Sequence, residues 1–369
     1  MPNFLPYWLA AHHIRAIPST KWMAYAKTLE TIEQLFQADD ATLINAGLPE
    51  IEIQLLRQIG KDQIQKDLDW MNEKQTIVSI DDDRYPSLLK QIPTPPLVLY
   101  VRGNAWSLSQ MQIAIVGSRK ASHYGLLNAA QFASSLSKTG FVITSGLAIG
   151  IDAACHKSAM EANGITIGVA GTGLNQIYPR AHRDLLKSIV DHNGAIISEF
   201  PLETPPYASN FPRRNRIIAG LSLGVLVVEA AIKSGSLITA RLAAEFGRDV
   251  FAIPGSIHHV LSRGCHFLIS QGAKLVEDVQ DILTEFSMSP HQLQLILPQA
   301  ATPKTMTDDH LSKEERGLLA HIGYEITPMD MIISLSHLTE SDVSSILLQL
   351  ELQKLIQSVP GGYIRLTVR

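Results

Sequence analysis

The sequence predicts an α/β protein with an extended, Rossmann-like doubly wound parallel sheet, flanked by an N-terminal helical module and a C-terminal winged-helix domain. From Thr76 onward, short apolar runs alternate with stretches of helical periodicity, which is typical of βαβ units. These runs contain few polar residues, as expected for parallel strands that are covered on both faces. The flanking regions have helical patterns, and 369 residues are enough for two or three domains.

Residues 1–75 are expected to form short helices. Apolar residues recur at helical spacing over 21–36, Asp39 and Asp40 begin another helix, and the Asn-Ala-Gly-Leu-Pro run at 45–49 indicates a turn. The module resembles sterile-alpha-motif or helix-hairpin-helix modules. A helix-hairpin-helix pair can hold a phosphate backbone, but residues 1–106 carry a net charge of −3, which favours a packing module.

Residues 76–286 are predicted to form the doubly wound domain. Its strands are predicted at 112–116, 141–144, 166–170, 195–198, 224–228, 249–253 and 273–276. Its helices are predicted at 124–138, 152–163, 181–191, 213–221 and 236–246.

The C-terminal part begins with a low-charge stretch, residues 287–306, which is predicted to be a linker. Residues 307–369 show three helices, near 311–322, 328–334 and 340–355, and a Pro-Gly-Gly turn at 360–362 that indicates a hairpin. Three helices and a hairpin are the outline of a winged helix. Its third helix offers Lys354 against Glu340, Asp342 and Glu351, so protein contact or packing is favoured over duplex binding.

Composition and charge restrict the class of protein. The two cysteines, Cys155 and Cys265, stand far apart without a Cys/His cluster, which argues against a disulfide framework and a structural zinc site. No membrane-spanning run or signal peptide is recognised, so a soluble, cytoplasmic protein without membrane contact is expected. Residues 107–286 carry a net charge of +2 and residues 307–369 carry −4, so a polyanion is expected in the middle.

Glycines, small hydroxyl residues and basic side chains follow the predicted strands. Ligands of open α/β sheets bind beyond the carboxyl ends of the strands, where glycine and hydroxyl residues let backbone amides approach an anion. The sequence therefore predicts phosphate binding at this edge. The candidate residues are Gly117, Ser118, Arg119, Ser145, Gly146, Gly171, Thr172, Gly173, Asn210, Phe211, Arg213, Arg214, Asn215, Arg216, Lys233, Ser234, Gly235 and Ser236.

No cofactor is expected at this edge. The turn after the first strand lacks G-x-G-x-x-G, and the second strand ends in Ser145-Gly146 rather than in an acidic residue that would hold a ribose. A G-x-x-x-x-G-K-[ST] loop is also absent from the sequence.

Six ordered runs carry a resemblance to a known family. They are IVGSR at 115–119, SGLAIGID at 145–152, GTGLNQIYPR at 171–180, FPRRNRIIAG at 211–220, SGSLITA at 234–240 and VFAIPGS at 250–256. With them, residues 85–286 resemble the DNA-processing protein A family (DprA, also called Smf). The flanking helical module and winged helix match the three-part layout of that family.

The resemblance implies a non-enzymatic recombination mediator of natural transformation. Such a protein binds and protects incoming single-stranded DNA, relieves it of single-strand-binding protein and loads the RecA recombinase. By position, Arg119 matches a DNA-binding arginine, Arg180 stands where many members have lysine, and Phe211 matches an aromatic residue that can stack on a base. Ala208 stands where several relatives have lysine, which puts one DNA contact in doubt. A homodimer surface would fall on His266, Ile269 and Leu275.

Some residues allow two interpretations. Because helical spacing separates neighbouring side chains by about 100°, two of Arg213, Arg214 and Arg216 are expected to bind phosphate and one to pair with an acid such as Glu199 or Glu229. Asp152 and His156 stand four residues apart and could serve metal binding or acid–base catalysis. A third ligand is not evident, so Asp152 is expected to cap its helix and His156 to be a packing residue. Cys155 and Cys265 are expected to be buried thiols.

The alternative function is enzymatic. Nucleotide phosphoribohydrolases of related fold need P-G-G-x-G-T-x-x-E, whereas residues 229–236 of this chain read EAAIKSGS. This run lacks the glycine pair and places its acid ahead of the loop. A structural dimer without any ligand would leave the glycines and arginines at the strand ends unexplained.

Overall fold

A computed structural model describes residues 4–286, 311–323, 326–336 and 338–366. The chain divides into two compact units, residues 1–296 and residues 297–369. The predicted linker, residues 287–306, lies outside the described residues.

The first unit begins with short helices, as the sequence predicts, and there are six of them. They are α1 (Leu5–His13), α2 (Ser19–Thr28), α3 (Ile32–Gln37), α4 (Asp40–Asn45), α5 (Glu50–Arg57) and α6 (Lys61–Asp69). The helical pattern over 21–36 is divided between α2 and α3. Glu30 between them has φ 67°, and the Thr31 side chain accepts a hydrogen bond from the Gln34 amide at 3.1 Å.

These helices share one hydrophobic core with the sheet that follows. Leu9 and Trp22 are fully buried in the same cluster as Leu99 and Tyr100 of the sheet. The Tyr100 hydroxyl donates a hydrogen bond to Asp67 of α6 at 2.8 Å. The helical module is therefore packed on the sheet.

The sheet has nine strands in the order β1-β2-β6-β5-β4-β3-β7-β8-β9. The strands are β1 (Gln75–Ser79), β2 (Val98–Gly103), β3 (Gln112–Val116), β4 (Val142–Ser145), β5 (Thr166–Val169), β6 (Ala195–Ser198), β7 (Gly224–Val227), β8 (Asp249–Ala252) and β9 (Lys274–Leu275). Strands β3 to β9 pair in parallel, which confirms the predicted doubly wound sheet. Every residue of β3 to β7 is buried, in agreement with their apolar sequences.

Strands β1 and β2 were not among the predicted strands. They pair antiparallel with each other, and β2 pairs antiparallel with β6 at the edge of the parallel region. They precede the βαβ repeat, so the alternation of strands and helices that identifies the other seven gives no signal for them.

The helices cover both faces of the sheet. They are α7 (Ser87–Lys90), α8 (His123–Lys138), α9 (Ile151–Glu161), α10 (Arg183–Asp191), α11 (Asn210–Leu221), α12 (Gly235–Glu245), α13 (Arg263–Ser270) and α14 (Val279–Glu285). Strand β3 has β4 on one side and β7 on the other, so the order of connection reverses between β3 and β7. This reversal is the switch point at which ligands of such sheets bind.

The second unit has the predicted winged-helix outline. Its helices are α15 (Lys313–His321), α16 (Met329–Ser336) and α17 (Glu340–Leu352), and strands β10 (Ile356–Val359) and β11 (Gly362–Arg365) form an antiparallel hairpin. The core of the unit includes Leu318, Ile332 and Leu347. In the described ranges, no helix has the length and apolarity that crossing a membrane requires.

Candidate functional site

A cleft of about 810 Å³ lies at the switch point. The loops after β3 and β7 form two of its walls, and Ala148, Tyr178 and the start of α11 form the others. Under Phe211 the loops after β4 and β5 enclose a small cavity of about 110 Å³, which Gly146, Gly171 and the neighbouring Arg119 line. The predicted residues that line the cleft or this cavity are Gly117, Ser118, Arg119, Gly146, Gly171, Phe211, Arg214, Asn215, Ser234, Gly235 and Ser236.

The loop after β3 is held by its neighbours, so that Arg119 extends into solvent. Gly117 packs against Ile151, where an added Cβ would lie 2.6 Å from the Ile151 Cγ1 atom. Gly150 has φ +83°, and a side chain there would overlap the Ser118 carbonyl oxygen. The Ser236 hydroxyl donates a hydrogen bond to the Gly117 carbonyl at 2.9 Å. The loop backbone is fixed, while the Arg119 side chain stays exposed.

An aromatic pair and a cation form the most distinctive feature of the cleft. The Phe211 and Tyr178 ring centroids lie 5.4 Å apart at an interplanar angle of 48°. The Arg119 guanidinium carbon lies 5.8 Å from the Phe211 ring centroid. The Phe211 ring rests on Gly171, where an added Cβ would lie 2.8 Å from its Cδ1 atom. This arrangement combines stacking surfaces with a positive charge.

Helix α11 divides its three arginines between two environments. Phe211, Arg214 and Asn215 lie on the face toward the cleft, since residues three and four apart share a helix face. Arg213 and Arg216 lie on another face, and both contact Glu199, with 3.3 Å between Arg213 Nε and Glu199 Oε1. Two of the arginines therefore contact an acid, where the sequence interpretation expected one.

Arg214 is buried beside Asp152, and the two side chains flank Gly146. An added Cβ on Gly146 would lie 2.7 Å from Arg214 Nη2 and 2.8 Å from Asp152 Oδ2. Burial lowers the pKa of Arg214 to about 10, and Asp152 opposes this shift. Burial raises the pKa of Asp152, and Arg214 opposes that shift. Arg214 also donates hydrogen bonds to the Gly146 and Val169 carbonyls, so it ties the loops after β4 and β5 to α11.

The start of α12 forms the opposite wall of the cleft. Ser234 is the N-cap, and its hydroxyl accepts a hydrogen bond from the Ser236 amide at 3.2 Å. Asn215 donates from its side-chain amide to the Gly235 carbonyl at 3.3 Å. A helix of eleven residues therefore presents its N-terminus to the cleft, where anions are favoured.

The remaining predicted residues lie outside the cleft walls. Ser145 is buried beneath them and donates to the Ile115 carbonyl at 2.6 Å. Gly173 packs against the backbone of 201–202, and its amide donates to the Thr204 carbonyl at 2.9 Å. Arg180 is exposed at the start of the 3-10 helix Arg180–His182, two residues beyond Tyr178. Thr172, Asn210, Arg213, Arg216 and Lys233 also lie away from the cleft walls.

Lys120 and Tyr178 line the cleft but were not among the predicted residues. Lys120 directly follows Arg119, so its position was available from the sequence. Tyr178 stands two residues before Arg180 in the Tyr-Pro-Arg run, and nothing in that run indicates that its ring faces the cleft. Its contact with Phe211 joins residues 33 positions apart and depends on the packing of the loop after β5.

The prediction that Asp152 caps its own helix is wrong. The N-cap of α9 is Gly150, and Asp152 Oδ2 instead accepts hydrogen bonds from the Gly146 amide at 3.1 Å and the Ala148 amide at 3.2 Å. The carboxylate thus organises the loop before the helix. His156 is a packing residue as predicted: it is fully buried against Thr166, and burial lowers its pKa to about 3.

Glu229, the acid of the enzymatic alternative, binds Ser122, which is the N-cap of helix α8. Its carboxylate accepts hydrogen bonds from the Ser122 amide at 2.9 Å and the Ser122 hydroxyl at 2.5 Å. Within the ranges that the structure describes, no group of three or more His, Cys, Asp and Glu side chains could hold a metal ion. Cys155 and Cys265 are buried thiols, as predicted.

Two family models match this chain. The model of DNA recombination-mediator protein A covers residues 76–287, and that of the DprA winged helix domain covers residues 302–362. The chain belongs to the DNA recombination-mediator protein A (DprA/Smf) family. The DprA/Smf match includes every residue of the cleft.

Curated members of the DprA/Smf family are similar over most of the chain. Protein Smf of Escherichia coli strain K12 is 43% identical over 329 residues, which are 89% of this chain and 87% of that protein. DNA processing protein DprA of Streptococcus pneumoniae strain R6 is 41% identical over 266 residues, which are 72% of this chain and 92% of that protein.

Solved DprA structures share the fold. DNA processing protein A from Streptococcus pneumoniae aligns with a TM-score of 0.60 and 42% identity, covering 66% of this chain and 85% of that chain. DNA processing protein A from Helicobacter pylori, a structure that gives insight into its unique single-stranded DNA binding mode, aligns with a TM-score of 0.53 and 28% identity. That alignment covers 58% of this chain and 96% of the other chain.

Proposed function

We propose that this DprA/Smf-family chain binds single-stranded DNA in the switch-point cleft without catalysing a reaction. The Arg119–Phe211–Tyr178 cluster is the observation that carries the proposal. Aromatic side chains stack on bases of any identity, and a nearby cation attracts the phosphates. A base in a single strand is free to reach such a cluster. In a duplex it is held in the stack between the two backbones.

Each part of the cleft has a role in this proposal. Arg119, Lys120 and the N-terminus of α12 attract phosphates, while Phe211 and Tyr178 take a base. Arg214 holds the loops in place rather than contacting the strand, because it is buried. Arg180 extends the positive edge beyond Tyr178. Backbone amides and aromatic rings do not distinguish one base from another, so the binding is independent of sequence.

The wider role is a recombination mediator of natural transformation. The bound chain would protect incoming DNA, relieve it of single-strand-binding protein and load the RecA recombinase onto it. The membership in the family named for recombination mediation supports this part of the proposal. The cytoplasm, where RecA acts, is the expected location.

Single-stranded DNA is expected to bind more tightly than duplex of equal length, with little difference between homopolymer and mixed sequence. Helix α17, the helix best placed for a major groove, carries Glu340, Asp342 and Glu351, so the winged helix offers little positive charge. The measurement is displacement of labelled oligo-dT by unlabelled single strand or duplex. If duplex displaces the label at equal concentration, the cleft is not the DNA site.

We further propose a two-fold dimer through the surface of His266, Ile269 and Leu275. Ile269 is half-buried and Leu275 is 43% exposed, and Phe267 beside them is 48% exposed. A two-fold contact pairs this patch with the same patch of a second copy, so the exposed apolar side chains would cover one another.

Ile269→Glu is expected to convert the dimer to a monomer, because it would bury an unpaired charge in the contact. Leu275→Glu should have the same effect, and its greater exposure makes it harmless to the fold of the monomer. Analytical ultracentrifugation measures the state of both variants, with Met111→Glu, on a residue 49% exposed in the turn that enters β3, as the control. A dimer that persists in both variants places the interface elsewhere.

A further inference from the structure

A second cavity, of about 760 Å³, lies beside the cleft. Its walls are the turn before β1, strand β2, helix α10 and the loop after β5. Tyr178 belongs to the walls of both the cleft and this cavity, so the two adjoin at its side chain. Tyr178 is 43% exposed, and a strand that leaves Phe211 can pass over it.

The floor of this cavity is apolar. Leu147, Leu174 and Ile196 are buried and line it, together with the half-buried Leu186 and Val190 of α10. A concave apolar surface of this kind suits a flat, weakly polar group such as a nucleobase.

The walls of the cavity carry more cations than acids: Lys74, Arg102, Arg183 and Lys187 against Glu73 and Asp191. Lys74 lies 3.5 Å from Asp191, and Arg102 donates a hydrogen bond to the Leu174 carbonyl at 3.0 Å. Arg183 and Lys187 have no ion-pair partner among the described residues, and both side chains are exposed. They stand four residues apart on α10, so they share one helix face. Two uncommitted cations therefore border an apolar floor.

We propose that this cavity is a second nucleotide subsite, in which a base of the same single strand lies on the apolar floor and its phosphates contact Arg183 and Lys187. The inference rests on the proposed function, because the strand reaches the cavity from the cleft across Tyr178. Phe211 and Tyr178 hold the first nucleotides, and the cavity holds nucleotides further along the strand.

The test is the affinity of Arg183→Ala/Lys187→Ala for oligo-dT of increasing length, from about 4 to about 16 nucleotides, the range of single-strand site sizes. The short oligomers, which fill only the cleft, should bind as they do to the unaltered chain. The long ones should bind on the order of tenfold more weakly. For the long oligomers, the slope of log affinity against log salt should be flatter by about 1.4, since each of the two phosphate contacts contributes about 0.7 to it.

Lys138→Ala/Lys157→Ala is the matched control, because it removes two exposed cations from α8 and α9, outside both cavities. A control that loses as much affinity shows a general charge effect and overturns the subsite. Equal loss at every length, or no loss at any length, also overturns it. The proposed function is tested separately by Arg119→Ala/Phe211→Ala, which should weaken binding at every length.

A second readout reports the base itself. An oligo-dT with one 2-aminopurine should change its emission when the probe stands at the position that enters the cavity. That change should be lost in Arg183→Ala/Lys187→Ala and kept in the control. If the emission at every probe position is the same with Arg183→Ala/Lys187→Ala as with the unaltered chain, the subsite is contradicted.

Discussion

Arg119→Ala/Phe211→Ala is expected to bind oligo-dT at least about 100-fold more weakly than the unaltered chain, a loss of about 3 kcal/mol. The stacking of a base on an aromatic side chain contributes about 1–3 kcal/mol. A hydrogen bond to a charged group contributes about 1.5–3 kcal/mol. Phe211 and Arg119 contact each other and would hold adjacent parts of one nucleotide, so both contributions are lost together. Fluorescence anisotropy at a fixed salt concentration measures the affinity.

The salt dependence of oligo-dT binding distinguishes the contribution of Arg119 from that of Phe211. Arg119→Ala alone should flatten the slope of log affinity against log salt by about 0.7, whereas Phe211→Ala should leave the slope unchanged. The matched control is Lys138→Ala/Trp106→Ala. It removes an exposed cation and an aromatic residue that is 63% exposed from the opposite edge of the sheet. If the control loses as much affinity for oligo-dT as the cleft variant does, the cleft is not the DNA-binding site.

Arg214→Ala is expected to lower the free energy of unfolding by about 3–5 kcal/mol, the cost of leaving a buried charge without its partner. Asp152 would remain buried, and the Gly146 and Val169 carbonyls would lose their donor. For a domain of this size, the melting temperature should fall by roughly 10 °C. Urea unfolding followed by circular dichroism gives the free energy.

The stability that Arg214→Ala loses should increase as the pH rises. The pKa of Asp152 is raised in the folded chain, so the stability it contributes is present below its ordinary pKa of 3.8 and is lost as the pH rises. Without Arg214 the pKa of Asp152 rises further. The difference in unfolding free energy between Arg214→Ala and the unaltered chain should therefore grow between about pH 4 and pH 8.

The second substitution Asp152→Asn should recover part of the loss. It removes the buried charge and keeps an oxygen that can accept from the Gly146 and Ala148 amides. A defect that is the same at both ends of the pH range, and that Asp152→Asn does not relieve, would mean that the buried charge is not its cause.

The sequence is sufficient to predict a doubly wound parallel sheet between a helical module and a winged helix. Strands β3 to β7 are nearly apolar runs, and the helices between them show a 3.6-residue period, so the type of each element and the parallel direction of the strands follow from local pattern and connection rules. The loops after β3 and β7 meet at the cleft because the carboxyl ends of parallel strands share one edge. Gly117, Ser118, Arg119 and Ser234 to Ser236 could therefore be placed there from sequence.

The contacts of each side chain at that edge depend on how the whole chain packs. Arg213, Arg214 and Arg216 look alike in sequence, yet two contact Glu199 and the third is buried beside Asp152. Tyr178 meets Phe211 across 33 positions, and strands β1 and β2 pair antiparallel outside the βαβ repeat. These outcomes depend on which helix face packs inward and on contacts between distant segments. A periodic pattern fixes the faces of an element, but the neighbours of each face are set by the packing of the whole chain.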